Sequence, residues 1–256
     1  MSSLGRLQMG ACPPSRRRVR FHFSSQNNPS VYFMSASSTP QPAAQSSERR
    51  RYAIVGLGSR HALYQDGIEK THAANAQLVG LCDVNAGRVE LARRRSAKNG
   101  ATIPPGYLAA DFGRMLTETR PDTVIVTTVD ATHHDYLIRA MEAGCDVITE
   151  KPMTTDAETC RRVLATQRRT GRSCRVTFNY RYAPPRSQVK DLLMSGEIGD
   201  VHSVDFHWLL NTHHGADYFR RWHSKKENSG GLFVHKSTHH FDLVNWWLGA
   251  MPVSVM

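Results

Sequence analysis

Two glycines occupy positions where a phosphate group could rest against the backbone. The segment Val55-Gly56-Leu57-Gly58-Ser59-Arg60-His61 follows a short apolar run and precedes a helical stretch. Gly56 allows a tight turn, and Gly58 lets backbone N–H groups approach a pyrophosphate. His61 occupies the position of the third glycine or alanine of the dinucleotide fingerprint, where helix and strand normally pack closely. The spacing predicts that Gly56, Gly58, Ser59 and Arg60 bind a dinucleotide.

An acidic residue follows at the distance that such a site requires. Asp83 ends a second apolar segment, 77–83, and lies 25 residues after Gly58. An acid at this position hydrogen-bonds the adenosine ribose and repels a 2′-phosphate, so the sequence favours NAD over NADP. The alternative interpretation is that Asp83 only caps the helix that follows it.

The elements that position these residues alternate between short apolar strands and helices. This alternation is typical of βαβ units, whose right-handed crossovers produce an α/β fold with a doubly wound parallel sheet. Asn85 or Asp83 is expected to cap the first long helix, and Gly100, Gly144 and Gly171 follow the ends of helices. The predicted strands span residues 52–56, 77–83, 122–128, 145–149 and 174–178, and the predicted helices span 85–99, 111–118, 133–143 and 156–170.

Five further motifs occur in a recognisable order. They are Thr128-Val-Asp-Ala-Thr-His133, Glu150-Lys151-Pro152, Asn179-Tyr-Arg181, Ser195-Gly-Glu-Ile-Gly199, and the segment from Ser229-Gly-Gly231 to His239-His-Phe-Asp242. Together they resemble the Gfo/Idh/MocA family, the oxidoreductases similar to glucose-fructose oxidoreductase and inositol dehydrogenase. The resemblance covers about residues 51–256, and Val129 replaces the proline that is usual in the first motif.

The resemblance implies a domain plan and specific roles. Residues 51–178 would form an NAD(P)-binding Rossmann domain, with Thr128, His133, Glu150 and Lys151 lining the cofactor. Lys151 would lie beside the nicotinamide and stabilise the substrate oxygen, and His239 would exchange the hydroxyl proton. The Lys151–Pro152 bond is the plausible cis peptide.

One position departs from the family pattern. The family usually carries an aspartate four residues before the active-site histidine, whereas this chain has His235, followed by Lys236. On one continuous helix His235, His239 and Asp242 would share a face. His235 or Lys236 is therefore assigned to the catalytic set, with Lys236 a second cation for a carbonyl or an acidic substrate. The pair His235 and His239 also has the spacing of a zinc helix, but it lacks the glutamate of that motif, and no metal is expected.

Residues 179–256 are expected to form an incomplete α+β substrate and dimerisation domain with an open, mostly antiparallel sheet. The alternating stretch 201–208 predicts one of its strands. The resemblance suggests Asn179, Arg181 and Asp242 as substrate ligands. Trp222 and His223 either line a polar sugar pocket or form an exposed turn. An incomplete sheet would leave an apolar face and a bare edge, which predicts poor solubility or a partner, and homo-oligomerisation through this sheet is one form that such a partnership takes.

The resemblance implies an NAD(P)-dependent oxidoreductase that moves a hydride between the cofactor and a hydroxyl or carbonyl group of a sugar, inositol or related polyol. Two alternatives remain open at this stage. One is an NAD-using glycoside hydrolase or lyase that works by transient oxidation. The other is a truncated, non-catalytic relative that binds the cofactor.

Composition bears on partners and location. The 256 residues carry a formal net charge of +11, of which residues 1–51 contribute +7 through eight arginines and one acid, Glu48. The excess is thus in a tail rather than on a folded face, and nucleic acid is not an expected partner. Residues 1–50 predict a disordered extension or an organelle-targeting segment. The odd count of five cysteines without a CxxC pair favours a reduced, cytoplasmic location, and no membrane segment is expected.

Overall fold

The computed structural model describes residues 21–23 and 48–255. The expected disordered or targeting extension, residues 1–50, lies outside the described residues except for 48–50 and one short strand. That strand, β1 (Phe21–Phe23), pairs antiparallel with a strand near the end of the described chain, Pro252–Val255.

A six-stranded parallel sheet forms the centre of the larger unit. Its strands are β2 (Arg50–Val55), β3 (Ala76–Asp83), β4 (Gly106–Leu108), β5 (Thr123–Val126), β6 (Asp146–Thr149) and β7 (Cys174–Val176). They lie in the order β4-β3-β2-β5-β6-β7, and every neighbouring pair is parallel. The chain winds outward from β2 in both directions, which confirms the doubly wound prediction. The order reverses between β2 and β5, so the crevice at the carboxyl ends of these two strands is where such folds bind ligands.

Five helices cover the two faces of this sheet. They are α1 (His61–Asp66), α2 (Ala86–Lys98), α3 (Phe112–Thr119), α4 (His133–Glu142) and α5 (Ala157–Thr170). Asn85 caps α2 by accepting hydrogen bonds from the N–H groups of Gly87 and Arg88, and Asp156 caps α5 through Thr159 N–H. These side chains satisfy N–H groups that have no partner inside the helix.

The sheet separates two apolar clusters because successive strand residues point to opposite faces. Ala53 and Val55 of β2 pack with Phe112, Met115 and the apolar side of α4 and α5. Ile54, between them in sequence, packs on the other face with Leu81 and the buried side of α2. Both clusters are closed to solvent, so the carboxyl ends of the strands are held in fixed positions.

The rest of the described chain is mainly helical. Its helices are α6 (Pro184–Ser195), α7 (Thr212–Gly215), α8 (Asp217–Arg220), α9 (Lys226–Ser229), α10 (Leu232–His235) and α11 (Thr238–Leu248), followed by strand β8 (Pro252–Val255). The predicted strand over 201–208 is wrong, since this segment joins no sheet and most of it is exposed. Within the described residues the open antiparallel sheet is likewise not formed, and β8 pairs only with β1. A strand forms only where another backbone satisfies its N–H and C=O groups, and among the described residues no strand pairs with 201–208.

Large apolar side chains are exposed in this second part, among them Leu209, Phe219, Phe233 and Met251. The exposure agrees with an apolar surface that a partner would cover, although oligomerisation stays a prediction. None of the helices in the described part of the chain has the length and apolar character that a bilayer crossing requires.

Candidate active site

The turn after β2 has the shape that a dinucleotide needs. Gly56 has φ +90°, and a Cβ placed on it would lie 2.5 Å from the backbone nitrogen of Thr128. A side chain at Gly58, by contrast, would meet no atom within 4 Å. Gly56 therefore lets the turn pack directly on the end of β5, while Gly58 leaves the backbone open to an approaching phosphate, so these residues fit the cofactor.

Replacing Gly56 with alanine should destabilise the protein and weaken NAD binding. Alanine would have to adopt the positive φ of Gly56, which a side chain disfavours, and its Cβ would clash with Thr128 N. Together these two effects should cost about 2 kcal/mol or more. Gly67→Ala is the matched control, because Gly67 has φ −58° and open space around its Cβ position. Thermal melts with and without NAD⁺ measure both effects. Equal melting temperatures and equal NAD⁺ shifts for the two variants would contradict this account of the turn.

Asp83 fastens the turn to the end of β3. Its carboxylate is 4% exposed and accepts Leu57 N–H at 2.5 Å and Asn85 N–H at 2.8 Å. Asn85 rather than Asp83 caps α2. A carboxylate has about four acceptor positions, so these two bonds leave capacity for a ribose hydroxyl, whose recognition by Asp83 stays a prediction.

His61, at the third fingerprint position, makes its contact with the glycine turn itself. Its Nδ1 contacts the carbonyl oxygen of Gly58, and burial lowers the pKa of the ring. The ring therefore folds back onto the turn. Ser59 and Arg60, which precede it, are exposed at the mouth of the turn.

Glu150 connects the turn to the end of β6. Its Oε1 lies 3.1 Å from Arg60 Nε and accepts a hydrogen bond from Tyr64 Oη at 2.9 Å. Burial, followed by the charge of Glu150, raises the pKa of Tyr64 well above its usual value. The tyrosine thus stays a hydroxyl that donates to Glu150, and the two halves of the expected cofactor site are joined through protein contacts.

His133 is buried between the loops that follow β5 and β6, and its predicted contact with the cofactor stays a prediction. The ring is fully buried, with Nδ1 2.9 Å from the carbonyl oxygen of Pro152 and Nε2 3.2 Å from that of Thr128. Burial lowers its pKa. Its position supports the loops after β5 and β6, whereas Thr128, half-buried beside Gly56, is the member of this motif nearest the turn.

Lys151 follows β6 directly and is buried although it carries an ammonium group. It is 9% exposed, and its Nζ donates to the backbone oxygen of His235 at 2.8 Å. Burial lowers its pKa to about 8, while the charges of Asp130 and Glu150 act in the opposite direction. The Lys151–Pro152 peptide is cis, as expected from the sequence.

The predicted continuous helix from His235 to Asp242 is wrong. Helix α10 ends at His235, and α11 begins only at Thr238. The break directs the three side chains to different partners: His235 to Lys151 and Asp130, His239 to Tyr180, and Asp242 to Arg181. The zinc-helix geometry is therefore absent, and no cluster of three metal-ligating side chains occurs within residues 21–23 and 48–255.

His239 is a buried neutral base. It is 4% exposed and stacks on the ring of Tyr180, with centroids 3.9 Å apart and planes 6° apart. Burial, followed by the nearby charges of Lys151 and Lys236, lowers its pKa to about 3. Lys236, 6% exposed, donates to Tyr180 Oη at 2.5 Å, so two members of the predicted catalytic set, His239 and Lys236, contact the same tyrosine.

The remaining predicted substrate residues fall into two groups. Trp222 and His223 pack against His235, with ring centroids 5.5 and 5.0 Å away, and so lie at the site rather than in an exposed turn. Arg181 and Asp242 bind each other through two hydrogen bonds, which occupies the groups that were expected to meet substrate. Asn179 is exposed at the start of a 3-10 turn. Substrate contact by these residues stays a prediction.

The pair of Arg181 and Asp242 should show a measurable coupling energy. The Asp242 side chain is 9% exposed and the Arg181 side chain 34%, and the bidentate geometry links the 3-10 turn to α11. A double-mutant cycle with Arg181→Met and Asp242→Asn should give about 1–2 kcal/mol in the free energy of unfolding. The exposed pair of Arg221 and Asp217 is the control, for which we expect no more than about 0.5 kcal/mol. Additive effects at Arg181 and Asp242 would show that the pair stabilises nothing.

Sequence reasoning missed two residues of this site. Asp130, 3% exposed, contacts His235 Nδ1, and Tyr180 joins His239 to Lys236. Both lie inside motifs that were recognised, Thr128 to His133 and Asn179 to Arg181. The signal available for Asp130 was its place directly beyond the carboxyl end of a central parallel strand, where functional side chains gather.

Comparison with known proteins identifies the family. The model of the "Oxidoreductase family, NAD-binding Rossmann fold" matches residues 50–178, and that of the "Oxidoreductase family, C-terminal alpha/beta domain" matches residues 190–256. The chain belongs to the Gfo/Idh/MocA oxidoreductases. The first of these models describes an NAD-binding Rossmann fold, which agrees with the prediction that this chain binds NAD.

Individual Gfo/Idh/MocA relatives agree with this assignment. Oxidoreductase YteT of Bacillus subtilis is 39% identical over 207 residues, which are 80% of this chain and 48% of that protein. Inositol 2-dehydrogenase of Rhizobium meliloti is 29% identical over 205 residues, 80% of this chain and 57% of that enzyme. WlbA dehydrogenase from Bordetella pertussis, solved with NADH and UDP-GlcNAcA, is 27% identical with a TM-score of 0.64, over 78% of this chain and 60% of that one. The chain therefore spans about half the length of the curated relatives that it matches.

Proposed function

We propose that this chain acts as an NAD-dependent oxidoreductase that interconverts a hydroxyl and a carbonyl group on a sugar, inositol or related polyol. The observation that supports the proposal is a buried ammonium, Lys151, whose charge acts on a buried neutral imidazole, His239, with Lys151 just past the carboxyl end of β6. Relatives named as inositol and glucoside dehydrogenases support the substrate class.

The two side chains have complementary capacities toward an alcohol. A nitrogen of His239 is unprotonated at neutral pH and can accept the hydroxyl proton. Lys151 donates an N–H to the same oxygen and stabilises the negative charge that develops on it. Bound NAD⁺ supplies the acceptor for the hydride that leaves the carbon. Exclusion of water by the surrounding aromatic rings strengthens both interactions.

An open cavity lies beside Lys236 and His240, which are close to His239 in the sequence, and we propose it as space for part of the substrate. It measures about 280 Å³ and is lined by Phe206, Trp208, Leu210, Leu232, Lys236, Ser237 and His240. This volume is near the lower end of the roughly 300–1,000 Å³ of ligand pockets. Aromatic faces and one cation suit a hydroxylated ring that has an apolar face, which favours the sugar or polyol class.

A screen of inositols and sugars with NAD⁺ tests the proposal. We expect steady accumulation of NADH with at least one member, and its loss in Lys151→Met. Saturable NAD⁺ binding without NADH accumulation, but with bond cleavage of a glycoside, would instead support the redox-neutral alternative. Absence of NAD⁺ binding altogether would contradict the proposal.

A further inference from the structure

Asp130 and His235 form a buried pair that lies directly against Lys151. The carboxylate of Asp130 is 3% exposed and contacts Nδ1 of His235, which is 8% exposed. The other ring nitrogen, Nε2, lies 3.4 Å from Lys151 Nζ, and the backbone oxygen of the same histidine accepts from Nζ at 2.8 Å. Three ionisable groups are thus connected in a line.

The proton positions follow from the chemistry of the groups. A carboxylate accepts hydrogen bonds, so the contact with Asp130 requires a proton on Nδ1 of His235. In the neutral ring, a proton on Nδ1 leaves Nε2 with a lone pair, so Nε2 can only accept a hydrogen bond. Lys151, an ammonium with three N–H bonds, is that donor. The second nitrogen of the histidine and its carbonyl oxygen thereby hold the ammonium from two directions.

We propose that Asp130 is a positioning residue that fixes the Nδ1–H tautomer of His235, so that His235 holds the Lys151 ammonium with one N–H left for the substrate oxygen. His235 stands where the resemblance led us to expect an aspartate, and Asp130 supplies a carboxylate from a different place in the fold. The charge of Asp130 reaches the lysine through the histidine ring rather than by direct contact.

The surroundings of His235 favour this arrangement. Rings from two neighbouring elements pack against it: Tyr218 at 5.6 Å, Trp222 at 5.5 Å and His223 at 5.0 Å. The charged or titratable groups that face it are Asp130, Lys151, Tyr218 and His223. Burial raises the pKa of Tyr218 and lowers that of His223. Asp130 is therefore the acid in contact with the ring, and its removal leaves no carboxylate among the described residues to hold the Nδ1 proton.

The first measurement needs no substitution. Nitrogen-15 NMR of the histidine rings in the full chain reports which nitrogen of His235 carries the proton at neutral pH. We expect Nδ1 protonated and Nε2 unprotonated. A proton on Nε2, with Nδ1 bare, would overturn the proposal.

The second measurement compares Asp130→Asn with wild type. Asparagine keeps the shape but removes the charge and can donate to Nδ1, so we expect the His235 tautomer to shift toward Nε2–H. Loss of the carboxylate should also lower the pKa of Lys151, followed through the NMR titration of its Cε and Nζ nuclei, and should lower kcat at least tenfold with a smaller change in the KM for NAD⁺. Asp135→Asn is the matched control, because Asp135 is an exposed acid five residues along the chain whose partner is His134.

An unchanged tautomer together with an unchanged Lys151 titration in Asp130→Asn would overturn the role of Asp130. Both NMR readouts are made on the protein without substrate or cofactor. The inference rests on the proposed function only for the effect on kcat, so a chain that binds no NAD would contradict the proposed function while leaving the proton arrangement testable.

Discussion

Replacing Lys151 with methionine should abolish turnover while NAD⁺ still binds. Methionine fills much of the same buried volume but cannot donate to the substrate oxygen, so we expect kcat to fall by about 10²–10³-fold or more. The phosphate and ribose contacts that we predict at Gly58 and Asp83 are unchanged by the substitution and should remain. Initial rates and NAD⁺ titrations measure the two quantities. Lys70→Met is the control, because Lys70 is an exposed lysine of the segment that follows α1.

The same substitution should make the protein more stable at pH 7. The pKa of Lys151 is lowered from 10.5 to about 8, so between these values the unfolded chain binds a proton that the folded protein has released. Stability therefore rises with pH over this range, and the burial of the ammonium costs free energy at pH 7. Each unit of lowered pKa corresponds to about 1.4 kcal/mol, and the loss of the hydrogen bond to His235 offsets part of the gain. We therefore expect Lys151→Met to raise the free energy of unfolding by about 1–3 kcal/mol. A less stable Lys151→Met protein would show that burial of this lysine is not a cost.

Replacing His239 with glutamine should produce the second large effect, a loss of about 10²–10⁴-fold in kcat/KM for alcohol oxidation. Glutamine can hydrogen-bond the hydroxyl but cannot take its proton. The control is His72→Gln, because His72 is an exposed histidine that is distant from His239 in the sequence. Retention of activity in His239→Gln would assign the proton transfer to another group.

The pH dependence provides an independent check on both residues. The pKa of His239 is lowered to about 3, so the base is ready at all pH values above that, and the acidic limb of kcat/KM should lie at or below about pH 4. The ammonium of Lys151 is lost above about pH 8, where kcat/KM should fall.

The lowered pKa of His239 also affects protein stability, in the same direction as the lowered pKa of Lys151: the free energy of unfolding increases as the pH rises. The unfolded chain binds a proton below 6.5 that the folded protein does not, so stability declines as the pH falls from 6.5 toward 3.

Local sequence signals predicted the Rossmann half of the fold well. The alternation of apolar strands and helices is a property of neighbouring residues, and the caps at Asn85 and Asp156 act within three positions of themselves. Strand β4 (Gly106–Leu108) was not predicted, because three residues carry too little periodicity to be distinguished from a loop.

The second part of the chain shows where local signals fail. The stretch 201–208 alternates as a strand does, yet a strand also requires a backbone partner, and that depends on the rest of the fold. The pairing of Asp130 with His235 joins residues 105 positions apart, and the break between α10 and α11 decides the directions of His235 and His239. Both are tertiary facts that residue types and spacing cannot supply.

The proposed function requires one NAD molecule that reaches from the glycine turn to Lys151 and His239. NMR titration of the full chain with NAD⁺ tests this directly by following the Gly58 amide together with the Lys151 and His239 side chains. We expect all three signals to shift along one saturation curve with one dissociation constant. A Gly58 shift that leaves Lys151 and His239 unmoved, or no saturation at any of the three, would contradict the account.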